Sequence, residues 1–188
     1  MRRHVAPGIA LAIAGGLLVL LGGWLGLDLD SVALLGAALG GALALVPDRG
    51  PLAKLGGFAL GFVLAWVGYG VRAATLPDTD AGRAVAVVLV LIACMVVAAV
   101  AQGRLPLWSL LIGVAAMVGS YEEAYAASPS QFLETSPTAA TTVLLAAAFG
   151  YVAAALLGEA IREDRRREVV EDRGAGDDLD RRDESVVA

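Results

Sequence analysis

The sequence predicts an all-α, polytopic integral membrane protein: a compact bundle of about six transmembrane helices built from antiparallel hairpins. Three observations predict it. Of 188 residues, 58% are hydrophobic and mean hydropathy is +0.73, which is membrane rather than globular composition. The apolar residues fall in blocks able to cross a hydrocarbon core about 30 Å thick at about 1.5 Å of helical rise per residue. Most blocks are joined by only a few residues, so consecutive helices are antiparallel neighbours.

The first span covers residues 7–27, behind Met1-Arg2-Arg3-His4. It is long for a secretory h-region and lacks an Ala-x-Ala site, so a retained helix is expected. The second, residues 31–46, lies between caps offered by Asp28, Asp30 and Ser31 and a stop at Pro47 and Asp48. It is the shortest, and a re-entrant hairpin is its alternative. Pro47 and Pro51 bracket the turn to the third span, residues 55–74. The fourth, residues 84–101, holds Cys94, the only cysteine, which reads as a small buried hydrophobe with no disulfide or metal partner. Gly103 and Pro106 end that helix and start the fifth, residues 106–127, whose last turns place Tyr121 and Tyr125 at an interface.

The longest connection follows, from Ser128 to Thr138, where Ser-Pro pairs at 128–129 and 136–137 suggest turns and a cap before the sixth span, residues 139–160. Residues 161–188 form a charged tail, helical for a turn or two and then disordered. Ten of the nineteen acidic residues lie in it, so the formal charge of −5 describes the tail rather than the membrane body. No nucleic-acid partner is expected.

Basic residues set the orientation. With a cytoplasmic N-terminus, Arg2, Arg3, Arg49, Lys54, Arg104, Arg162, Arg165, Arg166 and Arg167 all fall inside, against Arg72 and Arg83 outside. That bias in short loops predicts a multi-pass cell-membrane protein with both termini cytoplasmic.

Helices in lipid gain little from hydrophobicity when they associate, so close approach at small residues supplies much of the attraction. Thr142, Ala146, Gly150, Ala154 and Gly158 recur every fourth position in the sixth span; Gly36 and Gly40 in the second and Gly57 and Gly61 in the third offer similar faces. Packing within the chain is expected ahead of pairing with a second copy or another membrane protein.

The middles of the spans contain no Asp, Glu, Lys, Arg, His, Asn or Gln, which argues against ion-coupled pumping. Polar side chains gather instead at the outer face: Tyr69, Arg72, Asp78, Asp80 and Arg83, then Tyr121, Glu122, Glu123 and Tyr125, then Glu134. One reading is an acidic vestibule able to gather cations or a hard metal ion through oxygen ligands. The preferred reading is that Arg72 pairs with Glu122 or Glu123 and joins the third helix to the fifth, with Tyr121 and Tyr125 in the interfacial aromatic belt. Glu122 and Glu123 point to different helix faces, so shared acid–base work is not expected. His4 is the single histidine, and no zinc set, nucleophile elbow or phosphate loop is present.

No catalytic residue, cofactor or resident metal is therefore expected. The function expected is that of a non-enzymatic structural or accessory membrane subunit. The alternative is a small-solute or ion permease with an acidic mouth on its outer face.

Overall fold

The computed structural model describes Gly16, residues 32–77 and residues 79–156. The first expected span beyond Gly16, the caps at Asp28, Asp30 and Ser31, the residues Asp78 and Gly158, and the charged tail lie outside the described residues. Within them the chain is all-helical. Helix α1 is Ala33–Leu45, α2 is Pro51–Thr75, α3 is Asp80–Val100 and α4 is Leu107–Ala127. A 3-10 turn, Pro129–Gln131, leads directly into α5, residues 132–156. Among the described residues, α2, α3 and the continuous stretch Pro129–Leu156 are long and apolar enough to cross a membrane.

Helix α1 has 13 residues, about 20 Å of rise against a hydrocarbon core of about 30 Å, as short as the sequence makes it. One expectation is corrected here. The supposed long connection from Ser128 to Thr138 is almost wholly helical, with Ser128 alone separating α4 from the 3-10 turn. Pro129 opens that turn, where a missing N–H costs little, and hydroxyls along the segment bond back along the helix instead of seeking water. Thr135 Oγ1 donates to Gln131 O at 2.9 Å, Thr141 Oγ1 to Pro137 O at 2.9 Å and Thr142 Oγ1 to Thr138 O at 2.8 Å. A polar sequence that reads as loop thus satisfies itself within a helix.

The remaining boundaries follow local chemistry. Val46 caps the end of α1, and Pro51 starts α2 after an extended Gly50. Thr79 caps α3, its side chain accepting from Gly82 N at 3.2 Å, which starts the helix four residues ahead of its apolar run. Between α3 and α4 the backbone turns through left-handed φ at Gln102 (49°) and Gly103 (78°) before Pro106 precedes α4. Lys54, only 5% exposed, donates from Nζ to Val46 O at 2.9 Å and Ala44 O at 3.3 Å. Its charge meets the last carbonyls of α1, where the helix dipole favours a cation.

Helices α2 and α4 form the centre. Gly57 faces Ser109, Gly61 faces the Leu110 carbonyl and Gly113 faces the Phe58 carbonyl, each so closely that a Cβ would collide. On the other side, Gly36 and Gly40 of α1 meet Ala146 and Ala147 of α5, and Gly150 meets the Ala37 carbonyl. The small-residue faces therefore pack against each other within one chain, and Ala146 and Ala154 are buried. Phe58, Phe62, Met117, Tyr121 and Val143 fill the core between these pairs. By contrast α3 leans on the bundle from outside: of its residues only Gly82 and Cys94 are buried, and Val88, Ile92, Met95 and Val96 are exposed.

Candidate functional site

The polar cluster is assembled at one end of the central pair. On α2, helical spacing aligns Phe58, Phe62, Ala65, Tyr69 and Arg72 on one buried face. On α4 the corresponding face runs through Leu110, Gly113, Met117, Tyr121 and Tyr125. The apolar lower parts of these faces make the core. Their upper ends carry the polar groups, so Tyr69 and Arg72 arrive opposite Tyr121, Glu122 and Tyr125.

Glu122 is the hub. Tyr69 Oη donates to its Oε2 at 2.5 Å, and Arg72 Nη1 reaches Oε1 at 3.2 Å and Oε2 at 3.4 Å. Arg83, coming from α3, sets Nε 3.4 Å from Oε1. One carboxylate of α4 is thus shared by a phenol and a guanidinium group of α2 and a second guanidinium group of α3. The environments differ: the Arg72 side chain is 3% exposed, that of Glu122 37% and that of Arg83 51%. Arg72 also lies over the Tyr125 ring, 4.4 Å from its centroid, so an aromatic face and a carboxylate together compensate a buried cation.

Aromatic packing holds this arrangement. The Tyr69 ring meets Tyr121 edge-on at 5.3 Å and lies 5.1 Å from Tyr125. Phe132, from the start of α5, contacts Tyr121 at 6.1 Å and Trp66 at 5.6 Å. Hydrogen bonds pin the same layer: Tyr121 Oη lies 2.7 Å from Thr135 Oγ1, and Trp66 Nε1 donates to Ser136 Oγ at 3.0 Å. Ser136 is fully buried.

Tyr69, Arg72, Tyr121, Glu122 and Tyr125 are therefore brought together as expected, with Glu122 rather than Glu123 as the partner of Arg72. Asp80, Glu123 and Glu134 are exposed and stand outside this cluster. Among the described residues, no three His, Cys, Asp or Glu side chains converge as a metal site would require. Sequence reasoning placed Arg83 at the outer face without assigning it a partner, and missed the contribution of Trp66, Phe132, Thr135 and Ser136. Trp66 was signalled by its position three residues before Tyr69 on the same helix. The other additions depend on how α3 and α5 dock, which no local pattern encodes.

Beside the cluster, α2, α3 and α4 enclose a groove of about 310 Å³. Ala65 and Gly68 contribute from α2, Val87 and Leu91 from α3, and Leu111 and Val118 from α4. Tyr69, Arg72, Arg83 and Glu122 line its polar end. At the opposite end of the bundle, Trp108 Nε1 donates to Asp48 Oδ2 at 2.8 Å and ties the α1–α2 turn to α4.

Comparison with known proteins returns no match: no family model, no curated protein and no solved structure is similar to the chain. The functional reading therefore rests on the residues themselves.

Proposed function

We propose that the chain is a multi-pass integral membrane protein acting as a structural or accessory subunit, without enzymatic chemistry of its own. The observation that carries this reading is the inward commitment of its polar groups. Tyr69, Arg72 and Arg83 converge on one carboxylate, Glu122, and the central helices touch through Gly61 and Gly113. Such an arrangement fastens helices to each other and supplies no polar lane for a solute.

Six crossings, with both termini and the Asp48–Trp108 end cytoplasmic and the Glu122 end outside, complete the proposal. The basic bias of the short loops supports it. Helix α1, too short to cross unaided, would need residues beyond its ends or local bilayer thinning.

Single cysteines introduced into a Cys94→Ala background test the topology with a membrane-impermeant thiol reagent. Positions 48 and 102 are expected to label from the cytoplasmic side, and positions 79 and 128 from the outside. Both turns labelling from one side would refute it. For the role, the reconstituted chain is expected to pass no ions or small solutes. Flux that falls in Glu122→Ala or Glu123→Ala would replace the subunit reading with a permease.

A further inference from the structure

We infer that the groove between α2, α3 and α4 holds one acyl chain of an anionic phospholipid of the outer leaflet, with its phosphate at Arg83. The inference rests on the bilayer orientation proposed above. Its first support is depth. Along α4 the groove runs from Glu122 to Leu111, and along α3 from Arg83 to Leu91, about 16 Å and 12 Å of helical rise. One leaflet contributes about half of a hydrocarbon core about 30 Å thick. The groove thus begins at the interfacial polar groups and ends near the midplane, the depth available to a lipid tail.

Its second support is the chemistry of the walls. Below the polar end they are aliphatic, and Val87, Leu91, Leu111 and Val118 remain exposed on the bundle's flank, so the groove opens sideways, where lipid is the surrounding solvent. A volume of about 310 Å³ is at the small end of the range for ligand pockets and suits a single chain better than a whole lipid.

Charge supplies the third. The charged residues lining the groove are two arginines and one glutamate, a net positive mouth that a phosphodiester complements. Arg83 is the group placed to meet it. Its guanidinium engages Glu122 through Nε, half of its side chain is exposed, and the fork of terminal amines suits phosphate oxygens.

Photo-crosslinking of the full chain in phosphatidylcholine vesicles tests the inference. The vesicles carry a trace of phosphatidylglycerol with a diazirine along its acyl chain, or of diacylglycerol with the same tail. Phosphatidylglycerol adducts are expected to concentrate on Val87, Leu91 and Val118 relative to Leu34 and Leu156, which are also exposed but lie outside the groove. Arg83→Gln should lower groove labelling by phosphatidylglycerol about fivefold, to the level seen with diacylglycerol, as expected for loss of a charge-assisted hydrogen bond at a half-exposed site. Ala115→Trp, at an exposed position in the groove wall, should remove groove labelling by both probes. Labelling that follows exposure alone, or that is unchanged by Arg83→Gln, overturns the groove assignment while leaving the membrane reading intact. Absence of acyl-chain adducts on every described helix overturns the membrane reading, and the groove assignment with it.

Discussion

Removing the charge of Glu122 while keeping its shape isolates what the polar cluster contributes. In Glu122→Gln an amide oxygen still accepts from Tyr69, but two guanidinium groups lose their counter-charge. At the 3.2 Å separation between Arg72 and Glu122, the gross Coulomb attraction at an effective dielectric of about 20 is roughly 5 kcal/mol. Desolvation of Arg72, 3% exposed, offsets much of this. The Arg83 contact adds little, since a half-exposed pair is worth about 0–1 kcal/mol. Breaking a fully buried pair costs about 3–5 kcal/mol, and the 37% exposure of Glu122 reduces this by admitting water. A loss of about 2 kcal/mol is therefore expected, or roughly 4–8 °C in the melting temperature of a chain this size. The assay is thermal and denaturant unfolding of detergent-solubilised protein for wild type, Glu122→Gln, Arg72→Met and the double variant. Residues in direct contact should couple by about 1–2 kcal/mol, making the double variant more stable than the summed singles imply. Strict additivity, or wild-type melting in Glu122→Gln, would refute the idea that this pair fastens α2 to α4.

Gly61→Ala should destabilise by about 1–3 kcal/mol, because its Cβ would meet the Leu110 carbonyl, which cannot move aside without separating α2 from α4. Gly56→Ala, whose Cβ would meet only Leu105 Cδ2 at 3.6 Å, should be neutral or stabilise by up to about 1 kcal/mol through helix propensity; equal melting of the two variants contradicts the close crossing. Lys54→Met should cost about 1–2 kcal/mol by leaving the last carbonyls of α1 without their cation. Hydrogen exchange should rise at the end of α1 rather than across the bundle, and a uniform rise would point to a different role for Lys54.

Helix type, much of the helix placement and the small-residue faces could be read from the sequence because each depends on chemistry within one segment. Uninterrupted apolar runs favour helices, which satisfy backbone carbonyls within one segment and are long enough in three cases among the described residues to cross a membrane, and Gly103, Pro106 and Pro51 stop or start helices through their own φ preferences. The pairing of Arg72 with a neighbouring glutamate was legible for a related reason: a cation placed beside hydrocarbon demands a counter-charge, and short connections limit where one can come from.

What only the tertiary structure decided were choices among near-equivalent local options. Glu122 and Glu123 are chemically identical, and the rotation of α4 that buries Tyr121 and Tyr125 turns one glutamate inward and the other out. The segment from Ser128 to Thr138 has the composition of a loop, yet Phe132 docks against Trp66 and Tyr121 and draws it into α5. Recruitment of Arg83 and the groove beside it depend on the angle at which α3 leans on α2 and α4. No periodicity within a single helix carries that information, because such an angle is set by the shapes of both partners at once.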